Sequence, residues 1–334
     1  MPTPTLEDVA RHAGVSTATV SRAINTPDRV QEQTRLRVEA AIKTLSYTPN
    51  FGGQALASRR TNTVGAVIPT MDNAIFGQAL QVLEESLARE GVTLLVATSQ
   101  YNREREEAQV RALVGRGVDG LILIGAERPP AIYDMLDQRE LPYVILWVSS
   151  GEGRHVTIGF DNDAAARMVV QRVYDAGHRK IAMIVGVNAG NDRAMKRAEG
   201  ARKMCAELGL PALRIVESSY TLEAGEYAAQ QILSNGERPT AIICGNDVLA
   251  AGAIFAARKL GLDVPRDLSI VGFDDIDLAR VTLPPLTTVR VPHRRMGRTA
   301  ARHILDWIRS DQRPDSVVYD AEWVERQSLA PPAM

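Results

Sequence analysis

The chain carries only two cysteines in 334 residues, Cys205 and Cys244. A disulfide-stapled secreted scaffold is thereby excluded. One cysteine falls in a helical pattern and one in a strand pattern, as reduced core thiols do. No apolar run approaches the roughly 18 residues of a membrane span, and the N-terminus lacks the charged and apolar regions of a signal peptide. The chain is expected in the cytoplasm, with no membrane partner. Its five histidines, His12, His155, His178, His293 and His303, form no helical pair and have no cysteine at zinc spacing. No metal is expected. Residues 115–120, Gly-Arg-Gly-Val-Asp-Gly, satisfy the glycine fingerprint of dinucleotide sites but end a helix and lead into a strand, the reverse of the polarity such sites need. They read as a helix C-cap and turn. With no phosphate-cradling loop followed by lysine either, no cofactor is expected.

Net charge is nearly absent too, at −1, but it is unevenly spread. Residues 1–60 hold eight basic side chains against five acidic ones, a local excess that suits the phosphates of DNA. The same region has the most informative pattern in the chain. Leu6, Val9, Ala10 and Ala13 recur at three- and four-residue spacing, which predicts a helix with one apolar face. Gly14 permits a sharp turn after it, Val15 fills the angle, and Ser16 is a suitable N-cap for a second helix over 17–24. That helix is expected to bury Val20 and Ile24 and to show Thr17, Ala18, Ser21 and Arg22. These are small or hydrogen-bonding side chains, suited to a DNA groove. A third helix, with Thr34, Leu36, Val38, Ala41, Ile42 and Leu45, closes the core, and Tyr47-Thr48-Pro49-Asn50 ends it.

Three segments, Leu-Glu-Asp-Val-Ala from Leu6, Gly-Val-Ser from Gly14 and Thr-Val-Ser-Arg from Thr19, resemble the N-terminal signature of the lactose-repressor (LacI/GalR) family of bacterial transcription regulators. The likeness runs from Thr5 to about Leu329. It implies a helix-turn-helix headpiece over 1–49, a hinge over 50–61 and a two-lobed, periplasmic-binding-protein-like core over 62–334. It also implies DNA contacts by Thr5, Ser16, Thr17, Ala18, Thr19, Ser21, Arg22, Asn25 and Asn50, with Leu56 as a wedge in the minor groove. Gly52 and Gly53 depart from the usual hinge. Two internal glycines cost about 2 kcal/mol relative to alanine on a helix already too short to stand alone. The hinge is therefore expected to form only with a partner hinge and DNA.

From Thr63 onward, strand-like runs alternate with amphipathic helices, the signature of parallel sheets covered on both faces. Strands are predicted over 64–68, 92–97, 120–124, 143–148, 156–160, 181–185, 241–244 and 269–273. Helices are predicted over 76–89, 104–114, 164–176, 194–208, 222–233 and 248–260. The fold class is thus α/β, with an all-α N-terminal unit. About 270 residues of such units exceed one comfortable core and suggest two lobes. The resemblance implies that the chain crosses between them near Phe160, Arg290 and Tyr319, with a ligand in the cleft.

Open parallel sheets bind ligands beyond the carboxyl ends of their strands. Polar residues stand at those places: Asn73 with Phe76, then Asp161, Asn246, and Asp274 beside Asp275. Paired carboxylates and amides suit the adjacent hydroxyls of a sugar-like polyol, and helix capping is the competing explanation. The resemblance adds Arg197 as a ligand clamp and Tyr220 as a ring over the ligand. Arg193 and Lys196 nearby leave an anionic sugar open.

The expected function is sequence-specific binding of a near-palindromic double-stranded operator by a homodimer, with affinity controlled by a small sugar or sugar acid. A repressor released by its ligand is the commoner family behaviour, and a corepressed regulator or an activator is the alternative. The helix from Phe76 is a candidate dimer surface, and no C-terminal leucine heptad is present for tetramers. A solute receptor fits the core but not the DNA-binding unit. A sugar hydrolase using Asp161, Asp274 and Asp275 leaves that unit unexplained.

Overall fold

The computed structural model describes residues 4–48, 60–149 and 153–333. Asn50, Gly52, Gly53 and Leu56 lie outside the described residues, as does the side chain of Asn25. The chain forms two compact units, residues 1–61 and 62–334.

The first unit is a three-helix bundle. Helix α1 (Leu6–Ala13) opens on a capping box. The Asp8 N–H donates to the Thr5 hydroxyl, and the Thr5 N–H donates to the Asp8 carboxylate at 3.0 Å. Those Thr5 hydrogen bonds hold the Asp8 carboxyl below its usual range. The helix closes on Gly14 at φ 64°, a left-handed conformation open to glycine at no steric cost. Helix α2 (Thr17–Asn25) starts on Ser16, whose hydroxyl accepts from the Thr19 N–H at 3.2 Å. A 3₁₀ turn (Pro27–Arg29) leads to α3 (Glu32–Leu45).

Val9, Val20, Val38, Ala41 and Ala23 fill the centre of this bundle. Full burial of each valine stabilises by about 1.5–3 kcal/mol. Two expectations are corrected here. Leu36 is exposed, its side of α3 facing away from the other helices, and Ala23 is buried more fully than Ile24. The third helix ends at Leu45, the last residue expected in it, because Ser46 turns left-handed (φ 47°) and sends Tyr47 back into the core.

The second unit begins with β1 (Thr63–Ile68), α4 (Ala74–Ala88), β2 (Thr93–Thr98), α5 (Arg103–Gly115), β3 (Gly120–Ile124), α6 (Pro130–Gln138), β4 (Tyr143–Leu146) and β5 (Val156–Gly159). A second lobe follows with α7 (Asn162–Asp175), β6 (Ile181–Gly186), α8 (Asp192–Glu207), β7 (Arg214–Ser218), α9 (Leu222–Ser234), β8 (Ala241–Cys244), α10 (Asp247–Lys259), β9 (Ser269–Val271) and α11 (Leu278–Val281). The chain returns through β10 (Thr288–Arg290) to α12 (His293–Ser310) and β11 (Val317–Val318), then leaves again along β12 (Glu322–Val324).

One sheet has the order β11-β5-β4-β3-β1-β2 and the other β7-β6-β8-β9, every pair parallel. Helices cover both faces, so β1, β3, β4 and β5 are buried along their whole length and read as continuous apolar runs. The chain passes between lobes after β5, through β10, and between β11 and β12. Strands β10 and β12 pair antiparallel as a separate ribbon.

Helix α12 is the main addition to the sequence reading. It is 18 residues long and arginine-rich, with a buried stripe that includes Met296, Ala300 and Ile304. Gly297 lets it press on α4, since a Cβ there would lie 2.5 Å from the Ala79 carbonyl oxygen. Helix α6 and strand β7 are additional too. Two strands end earlier than expected: β4 stops at Leu146 because Trp147 turns to φ 64°, and β9 stops at Val271 ahead of Asp274 (φ 110°) and Asp275 (φ 54°). Cys205 and Cys244 are buried and unbridged.

Candidate functional site

On the first unit, Thr17, Ala18 and Arg22 stand exposed along α2, while Thr19 and Ser21 are half-buried. The hydroxyls of Thr5 and Ser16 are engaged in capping α1 and α2. These caps fix where each helix starts. That in turn fixes which side chains of α2 project.

In the second unit, the carboxyl ends of both sheets face a cavity between the lobes. Asn73, Phe76, Arg197, Tyr220, Asn246 and Asp274 line it together with Ile75, Tyr101, Trp147, Asn191 and Arg193. The free space is about 20 Å³, room for a single water. The lobes meet around it. The Tyr101 and Tyr220 rings lie 5.8 Å apart, the Ala126 N–H donates to Asp192 at 2.6 Å, and Asn162 Nδ2 donates to the Trp147 carbonyl at 2.9 Å. Tyr220 sits directly on Gly186, where any Cβ would collide with its ring.

Arg197 is held from three sides. Its Nε donates to Asn162 Oδ1 at 2.9 Å, another guanidinium nitrogen donates to the Gly245 carbonyl at 2.7 Å, and its Cζ lies 3.8 Å from the Phe273 ring centre. Burial pulls its pKa down, opposed chiefly by Asp274. Burial in turn pushes the Asp274 carboxyl up to about 7, against the attraction of Arg197. Asp274 also carries a backbone φ of 110°, a region that L-residues rarely occupy and that costs of order 1–3 kcal/mol.

Capping and cavity lining are compatible at Asn246. Its Oδ1 accepts from the Leu249 N–H at 2.8 Å and starts α10, while its buried Nδ2 has no partner. Trp147 Nε1 is likewise buried without a partner. Two donors and one carboxylate thus border the same small space.

Asp161 does not line this cavity. It is exposed, caps α7 by accepting from the Ala164 N–H, and borders a separate opening; its neighbour Asn162 reaches Arg197 instead. Asp275 is turned away and bonded to Arg290 and Arg326 at 2.8 and 2.5 Å. Among the described residues, Asp274 is therefore the one carboxylate lining the cavity. Lys196 pairs with Glu199 and Arg193 with Asp192. Tyr101 and Trp147 are lining residues that a reading of strand ends for polar groups passes over. Both follow strands, β2 and β4, as that rule requires.

The family model for lacI-type bacterial regulatory proteins matches residues 5–50, and that for a periplasmic binding protein-like domain matches residues 170–329. The HTH-type transcriptional repressor PurR of Yersinia pestis (strain Pestoides F) is 36% identical over 335 residues, covering 98% of this chain and 97% of that protein. A crystal structure of the lac repressor dimer bound to operator and the anti-inducer ONPF superposes with a TM-score of 0.87 at 27% identity, covering 98% of this chain and all of that one. A complex of the transcriptional regulator CelR with cellobiose superposes at 0.72 with 30% identity, over 97% of this chain and 99% of that one. With the helix-turn-helix unit and the two-lobed core in one chain, this protein belongs to the LacI family of bacterial DNA-binding transcriptional regulators.

Proposed function

We propose that the protein is a dimeric repressor, acting on DNA in the cytoplasm, whose operator affinity is set by a small polyhydroxylated ligand held between the lobes. One observation carries the ligand class: the buried, unpartnered donors Trp147 Nε1 and Asn246 Nδ2 border the same cavity as the buried Asp274 carboxylate. Unpaired buried polar groups are costly, and adjacent hydroxyls satisfy donors and a carboxylate together. Phe76 and Trp147, edge to face with centroids 5.1 Å apart, offer apolar surface to a sugar ring. With Arg193 and Lys196 paired internally and Arg197 opposite Asp274, a neutral sugar fits better than a sugar acid. The relative solved with cellobiose supports the same class. A lone cavity carboxylate supports binding over hydrolysis, which needs two.

A sugar is far larger than 20 Å³, so its entry must part the lobes or swing Tyr101 and Tyr220 aside. This is the step through which binding changes the lobe arrangement. For the dimer face, the second lobe is favoured over α4. Phe76 is buried and the outer side of α4 shows Gln81, Glu84 and Glu85, whereas the large apolar side chains of Tyr227, Phe255, Val281 and Leu283 are exposed on and beside α9, α10 and α11. Exposed apolar side chains of this kind suit self-complementary contact about a two-fold axis.

The test is a titration of the full-length protein with a panel of neutral sugars and sugar acids, read by tryptophan fluorescence and thermal midpoint, then repeated with operator DNA. Saturable binding abolished by Asn246→Ala, with a changed operator affinity, is the expected result. No saturable ligand among the sugars, or binding that leaves operator affinity untouched, would overturn the reading.

A further inference from the structure

Away from the cavity, a groove of about 430 Å³ runs between the end of α4 and the flank of α12. Five arginines line it, Arg89, Arg295, Arg298, Arg302 and Arg309, against two carboxylates, Glu90 and Asp306. The four on α12 follow steps of three, four and seven, which aligns them on one face of the helix. Arg309 is answered by Glu90 at 2.6 Å, and Arg295 lies over the Tyr319 ring at 4.7 Å. Arg298 and Arg302 have no hydrogen-bond or ion-pair partner among the described residues.

Like charges four residues apart destabilise a helix, and the helix dipole favours cations only in the last turn. That accounts for Arg309 but not for Arg298 and Arg302, which stand in the middle of an 18-residue helix. Beside them, the hydroxyls of Thr299 and Tyr319 are 2.8 Å apart and line the same groove. Each guanidinium offers a planar fork of donors and the hydroxyl pair adds a further one, the donor set that phosphoryl oxygens accept. The groove lies within the size range of small-molecule sites. Tyr319 belongs to the last crossing between lobes, and its N–H donates to the Gly159 carbonyl at the first.

We propose that this groove is a second ligand site, for a small phosphorylated or pyrophosphate-type anion, and that its occupant touches the inter-lobe crossing through Tyr319. It is independent of the sugar reading, since no residue is shared with the cavity.

Isothermal titration of the full-length protein with pyrophosphate, at constant ionic strength, tests it. One saturable site per chain is expected, weakened by about tenfold or more in Arg298→Gln/Arg302→Gln, as loss of charge-assisted bonds requires. Binding is expected unchanged in Arg172→Gln, an exposed arginine elsewhere. Circular dichroism confirms that the double variant is folded. Absence of saturable binding, or binding equal in the double variant, overturns the proposal. So does a double variant that leaves pyrophosphate binding intact yet lowers the affinity and salt dependence of DNA binding, which would assign the arginines to the DNA backbone.

Discussion

Asp274 makes the stability of the core depend on pH in a way that a single substitution should erase. Its carboxyl is fully buried and raised from 3.8 to about 7. An acid raised in the folded state is less costly to hold when protonated, so its contribution is complete below about pH 4 and is lost as pH rises toward 7. By linkage the raised carboxyl costs about 2 kcal/mol at pH 5.5, where the folded protein holds it neutral, and about 4 kcal/mol at pH 8, where it is ionised in its buried place, relative to the unfolded chain, a difference of about 2 kcal/mol. Asp274→Asn removes that difference. The assay is urea unfolding of both proteins at pH 5.5 and pH 8, followed by tryptophan fluorescence. All three tryptophans, Trp147, Trp307 and Trp323, lie in the second unit, so the signal reports that unit alone. The wild type should lose about 2 kcal/mol more than the variant between the two pH values. Histidines such as His178 and His293, whose pKa values burial lowers, act equally in both proteins and cancel. Equal pH dependence in the two proteins would refute the assignment of a raised, buried carboxyl to Asp274.

Other outcomes follow from the same geometry. Arg197→Lys keeps the charge but cannot reach Asn162 and the Gly245 carbonyl together; effector affinity should fall about tenfold or more in calorimetry while ligand-free operator affinity stays put. Arg22→Ala should weaken operator binding by about 1–3 kcal/mol in fluorescence anisotropy, and an unchanged affinity would remove Arg22 from the DNA surface. Ser16→Ala removes the cap on α2 and should cost about 1 kcal/mol, seen as faster hydrogen exchange of the α2 amides. Phe255→Glu with Val281→Glu should convert the proposed dimer to monomer in sedimentation equilibrium; a persistent dimer would move the interface elsewhere.

The capped helices of the first unit were legible because their signals are local. Gly14 and Ser16 act within three or four residues of themselves, and the structure places each where the pattern does; the Thr5 cap on α1 is seen only in the structure. Leu36 was misread for the opposite reason, since its burial depends on where two other helices lie. Helix α12 goes unread although its buried positions Met296, Gly297, Ala300, Ala301, Ile304 and Leu305 follow helical spacing among the arginines.

The cavity divides along the same line. Sequence alone determined that polar residues stand after strands, because strand periodicity and the parallel arrangement set where each strand ends. It pointed to Asp161, where the structure uses its neighbour Asn162. Adjacent residues at a helix start point in different directions, and only the packing of α7 against α8 turns Asn162 to Arg197 and leaves Asp161 outside. Asp274 and Asp275 divide likewise. The tertiary fold brings Arg290 and Arg326 to one carboxylate and buries the other at the cavity without a direct ion pair, so one is neutralised by ion pairs and the other is desolvated. Local chemistry chose the residue types. Long-range packing chose which of them meet, because burial and charge pairing depend on neighbours that lie far apart in the chain.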